Sequence, residues 1–253
     1  MKAVNLPLPL ILTAAVALFV GAGTVGTHLS RAEKGPEGSF DSFGGQTAIE
    51  GEATGFFHLE KIEGWQYLVT PEGHGYRALG INHFHMMISQ DYDGAIQMIR
   101  DWGFNAGCYQ GPRWMWDRYP YTKGINLVPI SGWKPDSRFG FRDVFDPDFL
   151  AELEESIRRI VEPQRENPNL IGYFWTDVPL WERERDGESW LSFYRSLPAE
   201  SAGGEIWRKW KEGNPDADEI DFLAVIARQL YSQAHAMIRK YDKNHLIFGD
   251  RWH

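Results

Sequence analysis

The feature that most constrains the fold is a repeated alternation of short apolar runs with amphipathic helical patterns, from residue 76 to residue 250. We predict strands at 76–83, 104–109, 125–131, 170–176 and 245–250, and helices at 91–103, 146–163 and 221–242. Strands that alternate with helices at this spacing indicate a parallel sheet with right-handed crossovers.

The predicted strands all end on polar, aromatic or charged residues. These ends are Asn82-His83, Tyr109-Gln110, Ser131-Gly132-Trp133, Thr176-Asp177 and Asp250-Arg251. Polar groups that recur at the carboxyl ends of strands are typical of a (β/α)8 barrel, whose functional sites lie at that edge. No glycine-rich phosphate loop follows any predicted strand, so the alternative, a doubly wound sheet, is less favoured.

The number of predicted units is small for a complete barrel. A barrel typically has eight strands in ~250 residues, and only five βα units are predicted here. We therefore expect an incomplete α/β TIM-type barrel, the N-terminal part of a longer one. Alternating apolar and polar residues with turn signals predict a β-hairpin before it, over 56–69.

The first residues have the pattern of an export signal. Lys2 is followed by an apolar run and then by small residues, which predicts a signal peptide over 1–26 with a cut after Ala22. Residues 27–52 are rich in glycine, serine and charge and predict a linker, and 53–253 are assigned to the hairpin and the partial barrel. We expect a secreted or periplasmic protein; the alternative is a membrane anchor formed by an uncleaved N-terminal segment.

The net charge limits the classes of binding partner, and the cysteine content limits the possible disulfides. The formal net charge of -9 argues against a nucleic acid or an anionic membrane as the main partner and is compatible with a neutral substrate. The single cysteine, Cys108, excludes an intramolecular disulfide. Because it lies in the apolar run FNAGCYQ, we interpret it as a small buried side chain.

Three segments of the chain carry a resemblance to a known family. They are GFFHLEKIEGWQYLVTPEGHGYRALGINHFH from Gly55, LIGYFWTDVPLW from Leu170 and HLIFGDRW from His245. The first resembles the hairpin and first strand of agarase-like glycoside hydrolases with (β/α)8 barrels, and the other two look like that family's fourth and fifth strands. The resemblance runs from about Phe56 to the C terminus. It implies retaining hydrolysis of a polysaccharide by two carboxylates, without a cofactor.

The resemblance also implies where the catalytic acid stands, and the sequence departs from it there. The family has Asn-Glu at the end of strand four, whereas alignment on the shared GYF and on Trp181 gives Asp177 and Val178. We predict Asp177 as the catalytic acid, with binding of a sugar hydroxyl or of a backbone N–H as alternatives. Glu182 and Glu184 are fallback acids. The nucleophile of the family lies on strand seven, which is not among the predicted strands.

Aromatic and polar residues near the strand ends are the candidates for binding a sugar. Flat aromatic rings stack on the apolar faces of sugars, and their polar tips add hydrogen bonds. The predicted substrate-binding residues are Asn82, His83, Trp114, Trp116, Trp133, Trp175, Trp181, Asp250 and Arg251.

Two other functions are compatible with the sequence. A carbohydrate-binding pseudoenzyme would keep the aromatic cleft without the acid pair. A metal-dependent amidohydrolase-like barrel would use His83 and His85, because side chains two apart on a strand share a face and can bind one zinc ion. A second cluster of metal ligands is not visible in the sequence, so no metal site is predicted.

Overall fold

The computed structural model describes residues 40–82, 91–108, 113–128, 140–177, 181 and 187–251, with only the backbone described at 176, 177 and 251. These residues form a mixed α/β structure with one antiparallel and one parallel sheet. Within them, no helix has both the length and the apolar character needed to cross a membrane.

The antiparallel sheet has four strands in the order β1-β4-β3-β2. They are β1 (Gln46–Glu50), β2 (His58–Ile62), β3 (Trp65–Val69) and β4 (His74–Tyr76). The predicted hairpin is confirmed as β2 and β3, joined at Glu63 and Gly64, which both have positive φ. The strand β1 lies within residues 27–52, the range predicted as a linker. Its partner β4 is distant in sequence, and such long-range pairing leaves little local signal.

A single carboxylate holds the start of this sheet together. Asp41 Oδ1 accepts hydrogen bonds from the backbone N–H groups of Phe43 (3.0 Å) and Gly45 (2.7 Å). Its Oδ2 lies 2.5 Å from the Thr70 hydroxyl and 2.9 Å from His74 Nδ1. Asp41 therefore fixes the turn before β1 to the connection between β3 and β4.

The parallel sheet has five strands in the order β5-β6-β7-β8-β9. They are β5 (Gly80–Asn82), β6 (Ala106–Cys108), β7 (Tyr121–Gly124), β8 (Leu170–Asp177) and β9 (Leu246–Arg251). The predicted strand at 76–83 is in fact divided between the two sheets. Its first residue ends β4, and its later part contains β5.

The third parallel strand lies earlier in the chain than the sequence predicts. Ile125, Leu127 and Val128, which begin the apolar run 125–131, are buried core residues outside any strand. The strand is formed instead by Tyr121–Gly124, which lies between β6 and β8. The apolar run thus marked burial correctly, but burial alone does not distinguish a strand from a packed loop.

Five α-helices accompany these strands in the described part of the chain: α1 (Tyr92–Asp101), α2 (Pro147–Val161), α3 (Trp190–Ser196), α4 (Ala202–Gly213) and α5 (Phe222–Tyr241). The predictions for α1, α2 and α5 are confirmed. The helix α2 begins as predicted, with the Asp146 side chain accepting from the N–H of Asp148 and proline at the first position. The helices α3 and α4 lie between β8 and α5, where no helix was predicted. Ser189 and Ser201 cap their first turns.

The antiparallel part contacts the amino-terminal edge of the parallel sheet. Phe57 and Tyr76 pack in one buried cluster with Ala106 of β6 and Ile171 of β8. The Phe56 ring lies edge-on against His245, with ring centroids 5.2 Å apart, immediately before β9. This edge is opposite to the one where the parallel strands end.

A buried ion pair stands at the same amino-terminal edge. His245 Nδ1 lies 2.6 Å from Asp242 Oδ2, and His245 Nε2 lies 2.8 Å from the carbonyl oxygen of Asn167. Tyr173 Oη also donates to Asp242 Oδ2 (2.7 Å), and both members of the ion pair are fully buried. Because a carboxylate and a carbonyl only accept hydrogen bonds, both nitrogens of His245 act as donors, as in an imidazolium ion.

Burial alone would raise the pKa of Asp242, but its partners reverse this effect. Hydrogen bonds from His245, Tyr173 and the N–H of Asn244, together with the charge of His245, hold the pKa of Asp242 below its usual value. Burial raises the pKa of Tyr173 far above the usual value, so its hydroxyl stays protonated and donates. Asp242 is therefore a charged acceptor that joins β8 to the turn between α5 and β9.

We predict that Asp242→Asn lowers the free energy of unfolding by about 3 kcal/mol or more near pH 5.5, because it removes one member of a buried ion pair. A lowered folded-state pKa stabilises the protein above the unfolded-state pKa of about 3.9, and this stabilisation is lost as the pH falls through the folded-state value. Urea unfolding of both proteins should therefore give a smaller difference near pH 3.5.

The control variant is Asp216→Asn, since Asp216 is exposed. Its free energy of unfolding should stay within about 0.5 kcal/mol of the original at both pH values. A difference for Asp242→Asn that is the same at both pH values would contradict a stabilising role of the Asp242 charge.

Candidate functional site

The five parallel strands bring several predicted site residues to one edge of the sheet. Asn82 ends β5, is exposed and is the Cα partner of Cys108 at the end of β6. Asp177 ends β8 and is the Cα partner of Arg251, which ends β9 directly after Asp250. Neighbouring strands lie about 4.8 Å apart. The backbones that carry Asp177, Asp250 and Arg251 are therefore adjacent at the carboxyl edge.

Three of the predicted residues meet around a residue that was not predicted, Tyr231 of α5. The ring of Trp175 stacks on Tyr231 with centroids 4.7 Å apart, and Trp181 packs edge-on against it at 5.7 Å. Trp181 Nε1 donates to Tyr231 Oη at 2.8 Å, and Tyr231 Oη donates to Asp250 Oδ2. We call Trp175, Trp181, Tyr231 and Asp250 the Tyr231 cluster.

Trp175 brings a buried N–H into the Tyr231 cluster. Trp175 is 8% exposed, and its Nε1 has no hydrogen-bond partner within the described ranges. An unpaired buried N–H is unfavourable unless it serves another purpose or binds water. The cluster thus contains both a hydrogen-bond chain and a buried N–H that makes no hydrogen bond within the described ranges.

The helix α3 also packs against the Tyr231 cluster. Trp181 stacks on Trp190 of α3 with centroids 5.2 Å apart, and Trp190 is fully buried. Phe141 meets Trp190 edge-on at 5.3 Å. Trp181 is therefore held by packing against α3 as well as by the Tyr231 hydroxyl.

Trp114 and Trp116 lie away from the Tyr231 cluster, in the connection between β6 and β7. Both are half-buried and pack against the main hydrophobic core. Trp114 stacks on Tyr92 of α1 at 4.8 Å. Trp116 stacks on Tyr121 at 6.3 Å, and Lys123 Nζ lies 5.6 Å from its ring centroid. Burial lowers the pKa of this lysine. Trp114 and Trp116 thus contribute to packing between the sheet and its flanking segments.

Other predicted residues lie outside the described part of the chain. These are His83 and Trp133 among the binding candidates, the possible metal ligands His83 and His85, the fallback acids Glu182 and Glu184, and Val178. Asp177 and Arg251 are described by their backbone only. The geometry at the carboxyl edge therefore rests on the strand ends and the Tyr231 cluster.

Within the described residues, one group has the spacing of metal ligands, and it lies elsewhere. Asp41, Glu72 and His74 approach one another in the antiparallel part. Asp41 is already occupied by the hydrogen bonds given above, and Glu72 accepts from the backbone N–H and the hydroxyl of Ser42. These hydrogen bonds explain why the three side chains lie close together: they hold the turn before β1 in place.

Tyr231 could not be distinguished by its sequence context. It lies in the amphipathic run that predicts α5, where a tyrosine at helical spacing indicates core packing. Its contacts reach Trp181 across 50 residues and Asp250 across 19. The one available signal was the polar end of β9, since a half-buried carboxylate such as Asp250 favours a donor from a neighbouring element.

Trp190 is fully buried and packs against Trp181, so its removal should destabilise the protein. Trp190→Ala should lower the free energy of unfolding by about 3–5 kcal/mol in urea titrations, because it leaves a cavity beneath Trp181. Trp65→Ala is the matched control, since Trp65 is 74% exposed, and should stay within about 0.5 kcal/mol. Equal losses in the two variants would show that Trp190 does not anchor this region.

Comparison with known proteins identifies structures with a similar fold. No protein-family model matches the chain, and no curated protein matches it. Its structure is similar to that of an exo-beta-agarase, with a TM-score of 0.66 and 17% identity over 86% of this chain and 49% of that chain. It is also similar to BpGH50 (TM-score 0.65, 16% identity, 85% and 56%) and to the agarase AgWH50C (0.61, 18%, 87% and 45%).

At 16–18% identity these similarities concern the fold, and the chain spans about half the length of the solved structures it matches. The resemblance predicted from the sequence is therefore confirmed at the level of the fold: the described chain is folded like part of the agarase structures.

Proposed function

We propose that the chain is part of an exported glycoside hydrolase that cleaves an agar-type polysaccharide. The observation that carries this proposal is that the backbones of Asp177, Asp250 and Arg251 are adjacent at the carboxyl edge of β8 and β9. That edge is where (β/α)8 enzymes have their active sites. Export rests on the predicted signal peptide, residues 1–26, and would make the protein secreted or periplasmic.

The strand order supports a barrel as the complete architecture. In the parallel sheet each strand pairs with the next one in the sequence, from β5 to β9, without reversal. A doubly wound sheet has a point at which the order reverses, whereas a barrel continues in sequence around its axis. The five described strands are thus consistent with successive strands of a (β/α)8 barrel.

The proposed chemistry needs two carboxyl groups. In retaining hydrolysis one acid protonates the leaving oxygen while a second carboxylate attacks the anomeric carbon; water then cleaves the glycosyl-enzyme, with the first residue acting as base. We assign the acid to Asp177. The resemblance places the nucleophile on a seventh barrel strand, beyond the five strands described here.

The sugar would lie along the carboxyl edge. We propose that Asn82, Trp181, Asp250 and Arg251 contact it, since their positions at strand ends or in the next loop place them there. The remaining candidates are His83, Trp114, Trp116, Trp133 and Trp175. Among them, Trp175 offers an unused N–H donor next to Tyr231.

A second candidate function is favoured by one observation. Val178 stands where the resemblance implies the acid, and valine cannot transfer a proton. A protein that binds the polysaccharide without cleaving it would retain the Tyr231 cluster and would not depend on Asp177 for turnover.

The test is the release of reducing ends from agar-type polysaccharide by the full-length protein. Asp177→Asn should lower kcat by about 10²-fold or more, because general acid catalysis typically contributes 10²–10⁴-fold. Asp216→Asn, an exposed control, should retain full activity.

Other outcomes identify the other functions. Unchanged activity in Asp177→Asn would remove Asp177 from the mechanism. Binding of the polysaccharide without release of reducing ends would favour the non-hydrolytic candidate. Activity that is lost on chelation and restored by zinc would favour the metal-dependent barrel with His83 and His85.

A further inference from the structure

The Tyr231 hydroxyl uses its donor and an acceptor position at once. The indole N–H of Trp181 can only donate, so the Tyr231 oxygen accepts from it at 2.8 Å. The hydroxyl proton is then directed to Asp250 Oδ2. Hydrogen bonds to a charged acceptor are stronger than those between neutral groups. The direction of the whole chain, from Trp181 through Tyr231 to Asp250, is thus fixed by its two ends.

Both ends of this chain belong to residues close to Asp177, one along the sequence and one on the neighbouring strand. Trp181 follows Asp177 shortly after the end of β8. Asp250 lies on β9 directly before Arg251, the Cα partner of Asp177. Tyr231 itself is on α5, so its hydroxyl joins a helix to Trp181 and to a strand. The three residues are far apart in the sequence, and the two hydrogen bonds hold them together.

We propose that Tyr231 is a positioning residue for carbohydrate binding, which holds Trp181 and Asp250 in the arrangement that receives the sugar. This inference rests on the proposed function and names a determinant of substrate affinity in the same site. Groups that are fixed before binding lose less conformational entropy when the ligand arrives. Without the hydroxyl, Trp181 and Asp250 would each lose a hydrogen bond that helps to orient them.

Ring packing and hydrogen bonding by Tyr231 can be separated experimentally. Tyr231→Phe keeps the ring that stacks on Trp175 and removes the oxygen that joins Trp181 to Asp250. Tyr241→Phe is the matched control: it removes a hydroxyl from the same helix that donates to the surface residue Glu154 at 2.7 Å.

The experiment is isothermal titration of each full-length protein with an agar-type oligosaccharide. Tyr231→Phe should raise Kd about tenfold, which corresponds to ~1.4 kcal/mol, at unchanged stoichiometry. Tyr241→Phe should leave both quantities unchanged. A merely structural role of the hydroxyl would lower the fraction of folded protein, and hence the stoichiometry, without changing Kd.

A double-mutant cycle tests whether Tyr231 acts through Asp250. If it does, adding Asp250→Asn to Tyr231→Phe should raise Kd by clearly less than the product of the two single effects. An unchanged Kd in Tyr231→Phe, or effects that multiply fully in the double variant, would overturn the inference. If the original protein itself does not bind the oligosaccharide, the proposed function fails first, and this result is distinct from both.

Discussion

The interaction on which the rest of the structure depends is the buried pair of Asp242 and His245. The Asp242 carboxylate receives hydrogen bonds from the His245 ring, from Tyr173 of β8 and from the backbone that follows α5. It therefore fixes the point at which the chain leaves α5 and enters β9. Because β9 runs parallel to β8 from that point, the same contact sets which residues of the two strands are adjacent at their carboxyl ends.

The two edges of the parallel sheet have different stabilising interactions. At the amino-terminal edge, charges are buried and fully paired, and the antiparallel part covers them with Phe56 and Phe57. At the carboxyl edge, the rings of Trp175 and Trp181 pack against Tyr231, whose hydroxyl joins Trp181 to Asp250. A binding site on a parallel sheet is expected to combine a well-packed amino-terminal edge with polar groups at the carboxyl edge.

Much of this fold could be predicted from the sequence, because local patterns specify it. The helix α2 was found from its Asp146 cap and apolar spacing, and β8 from a continuous apolar run. The strand β7 was missed because Tyr121–Gly124 is short and has no apolar run, and pairing on both sides determines it. Within the site, the sequence supplied Asp177, Trp181 and Asp250 but not Tyr231, whose role arises only from contacts between distant segments.

The central claim is that carbohydrate binds at the carboxyl edge of β8 and β9. The most direct measurement is hydrogen–deuterium exchange of the full-length protein, followed by mass spectrometry, with and without an agar-type oligosaccharide. With the oligosaccharide bound, exchange should be slower in peptides that contain the ends of β8 and β9 and the segment around Tyr231, with no change in β2 and β3. Protection confined to the antiparallel sheet, with none at the ends of β8 and β9, would contradict it.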